Sequence, residues 1–150
     1  MKYLLKSVSL TLLLSISSLL NAQSEAGSVF LLISPGARAG GMGEAQVAVA
    51  NDAYASYWNP AGLAYQEGSE LAFMHVNWLP NLADDMYYEF LGYRKSFPNL
   101  GTIGGHLIYL NLGEQVRMDE YAQYQGKFTS YMMAGAISVS YTHLRAHETS

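Results

Sequence analysis

From Glu70 onward, apolar and polar residues alternate with a period of two, and that alternation restricts this part of the chain to β-structure. Successive side chains of a strand point to opposite faces. Leu71, Phe73, His75 and Asn77 therefore share one face, and Ala72, Met74, Val76 and Trp78 share the other. The second face is wholly apolar and ends in a Trp, the pattern expected where the outer side of a strand meets lipid and reaches the membrane interface. A second strand is expected over Met86 to Arg94, with Tyr87, Glu89, Leu91 and Tyr93 alternating against Tyr88, Phe90 and Gly92. A third runs from about Gly101 to Leu112, with Ile103, Leu107 and Tyr109 on one face and Thr102, Gly104, His106, Ile108 and Leu110 on the other. Its length suits a tilted membrane strand of about 9 to 11 residues. Lys127 to Ser138 is the last strand, and Leu79 to Asp85, Ser96 to Leu100 and Gly113 to Gly126 read as connections, the last with a strand extension at Gln115 to Met118.

A sheet in lipid must close on itself so that no edge leaves unpaired backbone groups, and bacterial barrels need at least about eight strands. Roughly four are visible here. Either a continuation of the chain supplies the other strands, or the sheet belongs to a soluble protein. The tail bears on this choice. Val139 to Thr149, VSYTHLRAHET, resembles the translation of a transposase library adapter, so residues 139–150 are expected to be an artefact and the natural sequence to be lost after about Ser138. The start has the layout of a secretory signal over residues 1–22. Lys2 and Lys6 provide a basic start, Val8 to Leu20 an apolar stretch, and Ala22 a small residue before cleavage. Leu20 at the minus-three position is its one imperfect feature. The apolar run is short for a membrane-spanning helix, which needs about 20 residues.

Between the expected signal and the tail lie five basic residues, Arg38, Arg94, Lys95, Arg117 and Lys127, against eleven acidic ones. That balance argues against nucleic acid or an anionic membrane surface as a partner, because both are bound through clusters of Lys and Arg. With no Cys in the chain, disulfides, thiolate metal sites and a cysteine-linked lipid anchor are excluded. Abundant Tyr and Gly, with little charge inside the strands, suit a surface wetted on one side and lipid-facing on the other.

Residues 23–69 have a different character. After a short apolar run, Val29 to Ile33, Pro35 removes a backbone donor and stops regular structure. Gly36 to Ala50 is dominated by Ala and Gly, with Gly40, Gly41 and Gly43 nearly adjacent, which permits close approach of backbone. A nucleotide-binding reading fails on spacing. Gln46 stands where a dinucleotide fingerprint needs Gly or Ala, and no Gly-Lys-Ser/Thr follows for a P-loop. No cofactor is expected.

The stretch from Phe30 to Ala64, FLLISPGARAGGMGEAQVAVANDAYASYWNPAGLA, resembles the N-terminal signature of the PorV/PorQ family, which is similar in fold to the FadL-type outer-membrane transporters. Trp78-Leu79 and Leu82-Ala83-Asp84-Asp85 before a Tyr-rich strand also look like that family. The resemblance implies an all-β fold: the N-terminal portion of a transmembrane antiparallel barrel of about fourteen strands, with residues 23–69 as a plug and 70–138 as the first strands. The Asn59-Pro60-Ala61 element matches a plug motif of the FadL relatives. Gly36, Gly40, Gly41 and Gly43 would then let backbone pack tightly in a lumen, Asn51 or Asp52 would cap a turn of helix, and Arg38 would be a buried or lumen-facing cation seeking a carboxylate.

By the same resemblance, the expected location is the outer membrane and the expected work is non-enzymatic. Such barrels serve the type IX secretion system of Bacteroidetes, recognising the C-terminal signal domains of cargo beside the secretion translocon and passing cargo to a surface attachment complex. The expected partners are thus outer-membrane lipid, translocon and cargo. The alternative is a FadL-like channel for hydrophobic small molecules. The ionisable candidates for an enzyme, His75, His106, Asp84, Asp85 and Glu89, form no Gly-x-Ser-x-Gly elbow and no His-Glu-x-x-His motif. A lone His on a strand is more often a satisfied structural residue than a catalyst.

Overall fold

A computed structural model describes residues 25–81, 85–98 and 100–142. The expected signal, 1–22, the residues Leu82 to Asp84, and 143–150 of the expected adapter-derived tail lie outside the described residues.

Four antiparallel strands form one sheet in the order β1 (Ser69–Asn77), β2 (Tyr87–Phe97), β3 (Gly101–Met118) and β4 (Tyr124–Ser140). Each strand pairs with its sequence neighbour, as short connections require. Registers run from Ser69 opposite Lys95 to Asn77 opposite Tyr87, from Tyr87 opposite Asn111 to Phe97 opposite Gly101, and from Thr102 opposite Ser140 to Met118 opposite Tyr124. Val139 and Ser140 are part of β4, paired with Ile103 and Thr102.

Two expectations about the strands are corrected. Gly113 to Gly126 is not a long loop: the strand extension expected at Gln115 to Met118 is the end of β3, which runs without a break to Met118, and β4 begins at Tyr124. The polar residues there are paired across the ladder, and the turn is reduced to Asp119–Gln123. Asp119 closes it by accepting the N–H groups of Tyr121 and Gln123 at 2.9 and 2.8 Å, the local side-chain pairing that favours Asp in turns. Beyond Asn111, β3 has left its last β2 partner and is paired only with β4. The irregularity between Asn111 and Glu114 marks this departure, and Asp85 is bound there, taking the Glu114 N–H at 2.6 Å.

The second correction concerns which face is covered. Ala72, Met74 and Trp78 do not face outward; Met74 and Trp78 pack on a core of Tyr88, Phe90, Ile108 and Leu110. The opposite face carries Leu71 at 67% exposure, Phe73 at 63% and Met133 at 66%. Alternation separates two faces but does not rank them when both are apolar. The N-terminal segment decides the matter by lying against one of them.

That segment consists of short helical pieces: 3₁₀ turns at Glu25–Leu32 and Pro60–Tyr65, and α-helical turns at Ala37–Gly41 and Ala55–Trp58. Phe30, Ile33, Tyr54 and Tyr57 pack on the core of the sheet. Tyr54 stacks on Phe90 with ring centroids 4.8 Å apart, and His106 stacks on Phe90 at 5.5 Å. Phe90 and Ile108 are fully buried, and burying a side chain of that size is worth about 1.5 to 3 kcal/mol. The sheet makes room for the segment at Gly104, where an added β-carbon would lie 2.9 Å from Leu63 Cδ1, and at Gly92, where it would lie 3.0 Å from the Ala53 carbonyl oxygen.

Phe90→Ala is expected to destabilise the protein by about 3 to 5 kcal/mol, and Gly104→Val by about 1 to 3 kcal/mol through overpacking against Leu63. Equilibrium denaturation in detergent or lipid reads both. The phenols of Tyr54 and Tyr57 are pushed above the ordinary 10.0 chiefly by burial. The folded state therefore holds those protons more tightly than the unfolded state does. Their contribution is complete below pH 10.0 and is lost as pH rises through the raised values. Alkaline titration should release the N-terminal segment to protease above that pH, and Tyr54→Phe should blunt the effect.

Candidate functional site

Where the N-terminal segment meets the sheet, polar contacts fix positions that apolar packing alone would leave free to slide. Tyr88 Oη donates to the Ile33 carbonyl at 3.1 Å, and Trp58 Nε1 donates to the Pro35 carbonyl at 3.0 Å. Ser56 Oγ lies 3.0 Å from His106 Nδ1 on β3. Gln66, at the exit from the segment, donates to the Ala50 carbonyl at 3.1 Å, and its own carbonyl accepts from Thr102 Oγ1 at 3.3 Å. At the start of β1, Arg94 is held by Glu70 Oε2, at 3.0 Å from Nε and 2.8 Å from Nη2, and donates to the Glu67 carbonyl at 2.8 Å. A guanidinium with several acceptors in place can be buried at far lower cost than an isolated charge.

Within this frame, Asn59, Pro60 and Ala61 form a helix start. Asn59 Oδ1 accepts the Ala61 N–H at 3.2 Å, and its Nδ2 donates to the Val47 carbonyl at 3.0 Å. Pro60 takes the first helical position, where its missing N–H costs nothing. Asn is a strong N-cap because its side-chain oxygen satisfies an N–H that the helix leaves free. Asn59 does this and also ties the turn to the preceding segment. Asp52 does not cap the Ala55–Trp58 turn, whose N-cap is Tyr54 without a side-chain cap; its Oδ1 accepts the Tyr54 N–H at 3.0 Å in the bend before that turn.

Arg38 has the carboxylate neighbour expected for it, with Asp52 Oδ2 at 3.5 Å and Asn51 Oδ1 at 2.7 Å, but its side chain is 50% exposed. Asp52 is the more protected partner and also takes an N–H from Gln46 at 3.0 Å. An exposed pair of this kind contributes at most about 1 kcal/mol, so Arg38 orders the loop more than it stabilises the fold.

The glycines divide by role. Gly36, at φ 103°, adopts a conformation that L side chains rarely take, and its N–H donates to Met74 Sδ at 3.1 Å. Gly43 has φ 60°. Gly40 and Gly41 face open space, so the close backbone approach expected of the cluster does not occur at them or at Gly43. It occurs instead at Gly62, against the Ala50 carbonyl, and on the sheet at Gly92 and Gly104. The signal was present in the sequence as Gly positions on one face of β2 and β3, but it becomes specific only when the segment is known to lie there.

The ionisable candidates are dispersed. His75 pairs with Glu89 at 3.1 Å on the uncovered face, and Asp85 belongs to the β1–β2 connection. His106 meets Ser56, a residue that sequence reasoning passed over. A Ser hydroxyl beside an imidazole is half of a nucleophile arrangement, yet Ser56 is only 4% exposed, below the Tyr57 and Phe90 rings that also flank His106. Buried there, the pair ties the segment to the sheet.

No curated protein and no solved structure matches the chain. A family model described as type IX secretion system protein PorV matches residues 21–145. That match takes in the N-terminal segment and all four strands, and the chain belongs to the PorV family, with a part in type IX secretion.

Proposed function

We propose that this chain is the front part of an outer-membrane β-barrel that binds the C-terminal signal domains of secreted cargo beside the translocon. In this reading residues 1–22 direct export, residues 23–69 plug the lumen, and residues 70–138 begin the barrel wall. The observation that carries the proposal is the PorV match over 21–145 together with a sheet apolar on the face its own chain leaves uncovered. The 9 and 11 residues of β1 and β2 have the length of tilted membrane strands. On the uncovered face, Tyr109 lies 6.0 Å from Tyr87 and 5.6 Å from Tyr131, centroid to centroid, an aromatic row suited to a membrane interface.

That row orients the barrel. Past it, the β3–β4 hairpin projects on its own from Leu112 to Met118 and back, about 20 Å of paired strand at the rise of an antiparallel ladder. The other end has only the short connection between Phe97 and Gly101. Long loops on the outside and short turns on the periplasmic side are the habit of bacterial barrels, so the hairpin belongs outside the cell. Val116, Met118, Tyr121 and Tyr124 are all more than half exposed there, an apolar and aromatic surface of the kind that binds protein. Nothing in this work requires bond chemistry from the chain: binding and release of a folded signal domain suffice.

In the full-length protein, replacing Tyr121 and Tyr124 together by Ser should weaken binding of an isolated cargo signal domain by about tenfold or more while leaving the barrel folded. Titration of labelled signal domain by fluorescence anisotropy measures this. Undiminished cargo binding, with fatty-acid uptake lost on deleting Gly36 to Ala64, would instead assign the protein to the hydrophobic channels.

A further inference from the structure

The uncovered face carries a slot that the apolar band does not need. Leu107 stands opposite Gly135, and Gly105 stands opposite Ile137. Two neighbouring outward positions on adjacent strands thus lack side chains, and only the tip of Leu107 reaches over the backbone there, its Cδ2 2.9 Å from where a β-carbon of Gly135 would stand. Leu91, Ile103, Leu107 and Ile137 rise around this gap to leave an open apolar cavity of ≈ 800 Å³. Its floor is main chain: a β-carbon at Gly105 would lie 2.8 Å from the Ala136 carbonyl oxygen. Lys95 and Phe97 close the end towards the short β2–β3 connection.

Lys95 is the one Lys or Arg on the uncovered face among the described residues of the sheet below the projecting hairpin. Its ammonium sits 5.2 Å from the Phe97 ring centroid and makes no ion pair among the described residues. A cation on a flexible stem beside an aromatic ring, at the edge of an apolar band, is placed to reach the headgroup level while its methylenes stay in the band. Obliquely across the sheet from it, over β3 and β4, lies a trough with room for an alkyl chain and no polar side chain on its floor. Anionic group at one end, hydrocarbon along the length: that pairing fits an amphiphile lying obliquely across the strands.

We propose that the slot over Gly105 and Gly135 binds one acyl chain of a glycerophospholipid of the periplasmic leaflet, with the lipid phosphate on Lys95. This rests on the barrel reading above, which puts the β2–β3 connection at the periplasmic surface. The slot makes the site selective in place, because a chain laid there covers backbone that side chains leave bare, whereas elsewhere on the face lipid meets only the tips of Phe73, Met133 and their neighbours.

The test uses the full-length protein in vesicles of phosphatidylethanolamine and phosphatidylglycerol, doped with phosphatidylethanolamine bearing a photoreactive diazirine on one acyl chain. Cross-linked peptides are mapped by mass spectrometry. Labelling should concentrate on Leu107 and on Gly135 to Ile137. Lys95→Ala should reduce it about fivefold, on the scale of one surface cation acting on an anionic headgroup, and Lys95→Arg should preserve it. Gly135→Leu, whose β-carbon would displace only the mobile end of Leu107, 2.9 Å away, should fill the slot and abolish the concentration. Even labelling along all outward rows, indifferent to Lys95 and Gly135, would overturn the slot and leave the barrel reading intact. No labelling of any outward row would overturn both.

Discussion

Phe90 sits between Tyr54 and His106, and the rest of the structure depends on that stack. It joins the N-terminal segment to β2 and β3 at one point, burying the ring completely. A four-stranded meander has no inside of its own, since a single sheet needs another layer to cover its apolar face. Here the chain supplies that layer from short helical turns that would have no stability alone, each being far below the length at which isolated helices persist. The sheet holds the turns in place and the turns cover one face of the sheet, so each stabilises the other.

The period-two pattern in the sequence was enough to place four strands, because alternation is a local property, and their short connections pair each with its neighbour in the structure. It was not enough to say which face of β1 is covered. Ala72, Met74 and Trp78 are apolar, but so are Leu71 and Phe73 across the strand. In a soluble sheet the polar face would settle the matter. Here both faces are apolar, and the decision passes to residues more than a dozen positions away, Phe30, Ile33 and Tyr54, which no local window connects to β1. The full length of the β3–β4 hairpin was hidden for a related reason: Gly113, Glu114, Gln125 and Gly126 read as loop because they are polar or glycine, yet a hairpin outside any core can carry them and remain paired.

In the N-terminal segment the sequence showed the right residues with partly the wrong roles. Asn59 and Pro60 could be read directly, because a helix start needs an acceptor followed by a residue with no N–H to satisfy. The glycine cluster could not. Gly40 and Gly41 point into open space, while Gly62, Gly92 and Gly104, scattered through the sequence, mark the close approaches. Contact glycines reveal themselves only in pairs with what approaches them, and those partners, Ala50, Ala53 and Leu63, are distant in the chain or small enough to carry no signal of their own.

The two faces of the sheet therefore use the absence of side chains for different ends. On the covered face, Gly92 and Gly104 let protein backbone and Leu63 come close, and the gaps are filled by the chain itself. On the other face, Gly105 and Gly135 leave backbone that only the tip of Leu107 overlies, near a cation that makes no ion pair among the described residues. A surface exposed only to disordered hydrocarbon gains nothing from a bare stretch of backbone, because side chains there would add apolar contact at little conformational cost. A bare stretch becomes favourable when one chain lies in it repeatedly. The tethers at Ser56 and Gln66 join the segment to β3, and Arg94 holds Glu70 and the Glu67 carbonyl at the start of β1, so the strands that carry the slot are braced from the covered side.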